Sequence, residues 1–273
     1  MIVLKFGGEL LDDPSRLETV VATIARIARR TPLAIVHGGG KEIDAALKVA
    51  GIEKRQVDGL RITDEATLDT VVAVLAGTIN TRFVAALVHA GVPAVGLTGA
   101  DGGCGLSDPA PPHRAVDGRT VNLGRVGMPS NAADVRVLRV LTTERFVPVV
   151  ACIGIGADGR LFNVNADTFA GHLAARLAAS RLVIAGTTPG VLNERGETAA
   201  LLGPEAVDAM IAGGTATAGM IAKLNACTEA LSGGVGDVVI VDGRDGTALE
   251  AAVLGSPPPA ATRIVPTSVG RTR

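Results

Sequence analysis

Ile2-Val3-Leu4-Lys5-Phe6-Gly7-Gly8 and Leu33-Ala34-Ile35-Val36-His37-Gly38-Gly39-Gly40 are short apolar runs that each stop at glycine. That is the pattern of a strand buried on both faces and ended by a turn. Between them, Asp13-Pro14-Ser15 is a helix-start signal, and Leu17, Val20, Val21, Ile24, Ile27 and Ala28 share one helical face. The rest of the chain keeps this rhythm. A helix is expected from Lys41 to Val49, then a polar stretch from Glu53 to Arg61. A long helix follows, with Thr63 as its cap, Asp64 and Glu65 in its first turn, and Leu68, Val71, Val72, Leu75, Ile79 and Phe83 beneath. Further strands are read at Val92–Leu97, Val147–Ile153, Leu182–Ala185 and Asp237–Val241, and helices from about Asp134, over Glu205–Ile211 and over Gly219–Leu231. Residues 98–131, rich in Gly, Pro and Asp, break the pattern and read as a lid or edge ribbon with a hairpin at Asp117-Gly118. Alternating strands and helices imply an α/β fold, a largely parallel central sheet sandwiched by helices on both faces. Two lobes are expected, 1–155 and 156–273.

Composition narrows the function. With 273 residues and 47% hydrophobic content the chain can bury a sizeable core. A net charge of −1 gives no support to nonspecific nucleic-acid or anionic-membrane binding. Trp and Tyr are absent, so a stacking platform for single strands is not expected and any base pocket must be mostly aliphatic. No apolar run reads as a membrane span, and Met1 leads straight into a strand without a signal sequence. Cys104, Cys152 and Cys227 are odd in number and far apart, as are His37, His89, His113 and His172. This suits free thiols in a cytoplasmic protein and offers no metal-ligand spacing.

The densest polar signal is Asn163-Val164-Asn165-Ala166-Asp167, set between a short strand and an amphipathic helix carrying Phe169, Ala170, Leu173, Ala174 and Leu177. A cap or Asx-turn accounts for one or two of those polar groups, not three. Two other motifs are decoys. Gly154-Ile155-Gly156-Ala157-Asp158-Gly159 matches a dinucleotide fingerprint, but Asp158-Gly159 reads as a hairpin turn and no acid follows at the required distance. Gly40-Lys41 is followed by Glu42, so it is no P-loop. What remains handles anions: Lys5 beside Gly7-Gly8, the Gly38-Gly39-Gly40 turn at a helix start, and Lys223 opposing a helix dipole in Gly219-Met220-Ile221-Ala222-Lys223.

Together with Gly59-Leu60-Arg61-Ile62-Thr63-Asp64, these runs resemble the amino acid kinase family, within it the acetylglutamate kinase branch, over essentially the whole chain. The resemblance implies transfer of phosphate from ATP, with Mg2+ held through the phosphates, to the 5-carboxylate of N-acetyl-L-glutamate, a step of arginine biosynthesis. Kinases of a related acylated acid, or a silent sensor, are the alternatives. It implies that Lys5 and Lys223 contact the transferring phosphoryl group and that Asp167 holds both. It further implies that Arg61 and Asn163 bind the acylated amino acid, and that Gly7, Gly8, Gly38, Gly39 and Gly40 bind phosphates and substrate. The first lobe would bind the amino acid and dimerise; the second would bind nucleotide, through Thr187 and Lys223 among others. No protein metal ligand is implied. The chain departs from the family at Gly186-Thr187-Thr188-Pro189, where Thr187 replaces the usual acid near the nucleotide, and at Thr78 and Thr81, where lysines often flank the residue matching Asn80. The first strand begins at Ile2, which leaves no residues for the extra helix of arginine-inhibited hexamers, so a homodimer insensitive to arginine is expected. Asp167→Asn is expected to lower activity steeply with little effect on folding.

Overall fold

A computed structural model describes residues 1–193, 195–213 and 218–266. Its main sheet has eight strands: β1 (Ile2–Phe6), β2 (Leu33–His37), β3 (Ala94–Thr98), β4 (Val147–Ala151), β5 (Arg181–Gly186), β6 (Leu201–Leu202), β7 (Asp237–Asp242) and β8 (Thr262–Ile264). Their order is β6-β8-β7-β5-β1-β2-β4-β3. Every neighbouring pair is parallel except β7 with β8. The helices are α1 (Pro14–Ala28), α2 (Gly40–Val49), α3 (Glu65–Val72), α4 (Asn80–His89), α5 (Arg136–Thr143), α6 (Ala166–Arg176), α7 (Pro204–Ala212), α8 (Ala218–Ser232) and α9 (Gly246–Leu254). α1 packs against α4 and α9, and α6 against α8, giving helical layers over the two faces. β1 and β2 are buried along their whole length, as central strands covered on both sides must be. The alternating α/β reading and its parallel sheet therefore hold.

Local chemistry explains the element ends. Asp13 caps α1 by accepting a hydrogen bond from Arg16 N (3.0 Å), with Pro14 at the first helical position. The long helix is capped by Asp64, not by Thr63: Asp64 accepts from Thr67 N at 2.9 Å. Thr63 is instead buried, its backbone paired with Leu123 and Arg125 across a loop. Between α3 and α4 the helix widens into a π segment, Ala73–Ile79. The extra residue per turn re-phases the helix and presents Asn80 inward. There Asn80 Nδ2 donates to Val149 O (2.9 Å) and to His37 Nε2 (3.0 Å). Residues 65–89 have a mean hydropathy of 1.8 over an 18-residue window, so this helix is long and apolar enough to pass for a membrane span. The sequence reads otherwise because Asp69, Thr70 and Arg82 interrupt the run without lowering its average much. Leu68, Val71, Leu75, Ile79, Phe83 and Leu87 bury one side of it in the core.

Residues 98–131 do form ribbon. His113–Arg114 pairs with Thr120–Val121 around Asp117-Gly118, and Ser107–Pro109 joins a small second sheet through Val126–Pro129. In that sheet Ile153–Ile155 pairs antiparallel with Leu161–Val164 across Asp158-Gly159, so the glycine fingerprint is a hairpin. β6, β8 and α9 escape a pattern reading. The first two are edge pieces of two and three residues, and α9 is announced mainly by its cap, Asp245, which accepts from Thr247 N and Ala248 N.

His37 is fully buried, and burial pushes its pKa down to about 4; His172 is pushed to about 4 by burial and by the nearby Arg176 charge. Both are neutral in the fold but titrate near 6.5 when unfolded. Below that value the unfolded chain binds protons that the fold refuses, so stability present above pH 6.5 is lost as pH falls toward 4. For His37 alone the loss by pH 4.5 is roughly 2–3 kcal/mol. Urea midpoints compared at pH 7.5 and pH 4.5 should show this drop, and equal midpoints would contradict a buried neutral His37.

Candidate active site

The site lies where the strand order reverses. The chain leaves β1 toward β2 on one side, while β5 lies on the other, so the C-terminal ends of β1, β2 and β5 open a crevice. Gly7-Gly8 follows β1, Gly38-Gly39-Gly40 follows β2, and Gly186 ends β5. A cleft of about 260 Å³ sits there, lined by these first five glycines together with Lys5, Arg61, Asn163 and Asp167. The two glycine turns touch backbone to backbone: a Cβ on Gly8 would lie 2.6 Å from Gly39 Cα. A Cβ on Gly39 would in turn lie 2.8 Å from Leu75 Cδ2 and closer still to Ile79 Cδ1, so glycine at both positions lets the two turns approach and leaves their amides free to face anions. His37 steadies the second turn, since Asn80 donates to its Nε2 and its protonated Nδ1 donates to Gly38 O at 3.2 Å.

At the floor of the cleft one carboxylate holds two ammonium groups. Lys5 Nζ lies 2.8 Å from Asp167 Oδ1, and Lys223 Nζ donates to Asp167 Oδ2 at 2.9 Å. All three side chains are nearly buried. Burial alone would raise the Asp167 pKa, but the two ammonium charges hold it well below the usual carboxylate range. Burial pulls Lys5 down, yet Asp167 and then Glu9 more than reverse this, and its pKa ends up raised. For Lys223, burial and the charge of Lys5 outweigh the pull of Asp167, and its pKa is lowered. Asp167 thus favours the charged form of both lysines, and Lys223 carries more of the cost of two like charges side by side. Asp167 also sits in the first turn of α6, whose dipole favours an anion. Asn165 is the cap of that helix, accepting from Asp167 N (2.9 Å) and Thr168 N (3.1 Å).

Lys223 stands in the second turn of α8, somewhat further in than its glycine lead suggests. Its reach depends on how closely α8 approaches α6. Gly171 sets that approach, because a Cβ there would lie 2.9 Å from Ala226 O. The remaining polar groups form the other end of the cleft. Asn163 Nδ2 donates to Thr63 Oγ1 (3.1 Å), which in turn donates to Arg61 O (3.2 Å). Arg61 Nη2 donates to Asp44 Oδ1 at 2.5 Å, while its buried Nη1 has no protein partner. A guanidinium anchored on one side and unsatisfied on the other is set to receive a carboxylate. Thr187 follows Gly186 at the end of β5, on the same edge of the sheet but outside the cleft lining. Asp44 and Thr63 escape the sequence reading as site residues. Each acts through a partner distant in sequence, 17 residues for Asp44–Arg61 and 100 for Thr63–Asn163, and no local pattern encodes that.

A family model described as the amino acid kinase family matches residues 1–242. The chain belongs to the amino acid kinase family. It is 42% identical over 251 residues to an acetylglutamate kinase of Acidiphilium cryptum, covering 89% of this chain and 83% of the relative. It is 43% identical over 241 residues to one of Chloroflexus aurantiacus, covering 88% of this chain and 91% of the relative. Among solved structures, smu.665 of Streptococcus mutans UA159 superposes with a TM-score of 0.78 at 25% identity, over 97% of this chain and 98% of that one. The chain thus has the amino acid kinase fold.

Two outcomes follow from the packing. Asp167→Asn leaves two buried ammonium groups without a counter-charge. It should therefore cost about 3 kcal/mol in a denaturant melt at pH 7, rather than the small effect that the sequence alone suggests. Gly171→Ala forces α8 away from α6 and should cut turnover more than tenfold while the far-ultraviolet dichroism stays native; wild-type turnover would show that Lys223 tolerates the shift.

Proposed function

We propose that this chain transfers the γ-phosphoryl group of ATP to the 5-carboxylate of N-acetyl-L-glutamate, giving ADP and the acyl phosphate, as a step of arginine biosynthesis. The observation that carries the reading is the pair of buried lysines on Asp167, flanked by two glycine turns. The accepting carboxylate is already a nucleophile, so no general base is needed. The barrier is electrostatic, since a carboxylate must approach a polyphosphate, anion against anion. Lys5 and Lys223 offset that repulsion and stabilise the equatorial oxygens as the bond from phosphorus to the ADP oxygen breaks and the bond to the carboxylate oxygen forms. Backbone amides of Gly7 and Gly8 hold phosphate oxygens. Gly38, Gly39 and Gly40 face the reacting end of the amino acid, and Arg61 with Asn163 grips its α-carboxylate end. Thr187 belongs to the nucleotide side with Lys223.

Asp167 has both oxygens committed to lysine, and no cluster of three or more His, Cys, Asp or Glu among the described residues can cage a metal. The donor set fits Mg2+ held through the nucleotide's phosphates, where it would neutralise part of their charge. Glu9 is the remaining carboxylate of the cleft. Residues 1–155 supply most of the amino-acid end and residues 156–273 most of the nucleotide end, with Asn163 reaching from the second half to the amino acid and Gly7 and Gly8 from the first half to the phosphates; β1 and β5 are neighbours in the sheet. Three free, buried thiols suit a cytoplasmic setting.

The same reading makes the protein a homodimer through its first half. β3 is one edge of the sheet and is only half-buried, unlike β1, β2 and β4. Beside it α4 and the π segment present Gly77, Thr81, Ala85 and Val88 to solvent along one stripe. An apolar helix face next to an open strand edge is the kind of surface a second copy covers.

A coupled ADP-release assay with hydroxylamine trapping of the acyl phosphate tests the chemistry. Lys5→Ala or Lys223→Ala should lower kcat roughly 10²–10³-fold, as loss of one preorganised charge-stabilising donor does. Arg61→Ala should act mainly on the KM of the amino acid, because the group it holds does not react. Unchanged KM with abolished turnover would overturn the role given to Arg61. Light scattering on a gel-filtration column should return twice the 27.5 kDa chain mass, and a monomer would remove the dimer from the reading.

A further inference from the structure

Behind the cleft lies a second chamber of about 470 Å³. Leu60, Val126 and Asn165 belong to the walls of both, so the two spaces adjoin. The chamber is bounded by the two hairpins and by α8. Asp58, in the turn between Gln56–Val57 and Leu60–Arg61, accepts hydrogen bonds from His113 Nε2 (2.8 Å) and Val116 N (3.0 Å) and so ties the hairpins together over it. Its lining is mainly apolar, with Pro111, Pro112, Leu123 and Ile221 among the contributors. The α-carboxylate end of the substrate lies at Arg61 and Asn163 on the proposed reading. Leu60, next to Arg61 in the chain, lines both spaces with Val126, so the chamber opens within reach of the acyl substituent, which is one nitrogen removed from the same carbon.

We infer that this chamber is an acyl-chain site, and that the enzyme accepts N-acyl-L-glutamates whose acyl group is a linear aliphatic chain longer than acetyl. The inference rests on the kinase reading and extends its substrate class. The charged groups that face the chamber are Asp58, paired with His113, together with Arg114 and Glu229. Two acids against one arginine and a paired histidine give no preference for an anionic tail. The occupant is therefore an alkyl chain, not a dicarboxylic acyl group.

The test is a steady-state comparison of N-acetyl-, N-propanoyl-, N-butanoyl- and N-hexanoyl-L-glutamate, with N-succinyl-L-glutamate as the polar control. Each buried methylene should lower KM by about fourfold from acetyl to butanoyl, with kcat little changed, and succinyl should fall well behind butanoyl. Asn225→Phe, which fills the chamber from α8, should lower kcat/KM for butanoyl at least tenfold and leave the acetyl substrate within about twofold. Ala110→Phe fills it from the opposite wall and should do the same if the first variant disturbs α8. Turnover of N-acetylglutamate with kcat/KM falling tenfold or more at propanoyl or butanoyl would overturn the acyl site alone. No turnover of any member would overturn the kinase reading beneath it, and the inference with it.

Discussion

One carboxylate between two ammonium groups is the constraint on which the rest of this structure depends. Lys5, Asp167 and Lys223 come from a central strand and two helices that are far apart in sequence, and all three are nearly buried. Burying one charge without its partners costs several kcal/mol, so the three elements must arrive together or not at all. β1 must occupy the middle of the sheet, α6 must start at its C-terminal edge, and α8 must lie close enough to α6 for a lysine to reach the same acid. Gly171 and the cap at Asn165 serve that geometry directly. The cluster is left with one net positive charge, on groups that cannot relax away from it. A cleft that has to bring two anions together needs such a fixed cation.

The opposite end of the cleft is built on a different economy. Arg61, Thr63 and Asn163 form a chain of polar contacts in which each group is positioned by the next, and Asp44 turns one arm of the guanidinium while leaving the other open. The open arm is unsatisfied in the protein alone, which is the mark of a site completed by its ligand. Both ends rely on the same sheet, in which β1 and β5 are neighbours.

The alternation of strand and helix was legible because parallel strands buried on both faces read as plain apolar runs, as in Ile2–Phe6 and Leu33–His37. The run Asn163 to Asp167 stood out because one cap could not explain three polar groups, and the structure divides them among a cap, a hydrogen bond to Thr63 and the lysine clamp. Three features were not legible. The π segment depends on where Asn80 must point, which no periodicity records. The cap moved from Thr63 to Asp64 because Thr63 is claimed by Asn163, 100 residues away. The apolar helix 65–89 conceals its character behind isolated polar residues. For the π segment and the cap, a long-range partner overrides a local preference.

The central claim is that Asp167 sets the charge state of both lysines, and side-chain NMR of the lysine ε-carbons measures this most directly. Resonances assigned with Lys5→Arg and Lys223→Arg variants would be titrated from pH 7 to pH 12. In the native protein Lys5 should titrate above the ordinary lysine value and Lys223 below it, as the arrangement of burial and charge requires. In Asp167→Asn both should move down, because the attraction is gone while burial and mutual repulsion remain. Two lysines that titrate alike near 10.4, unchanged by Asp167→Asn, would contradict the account.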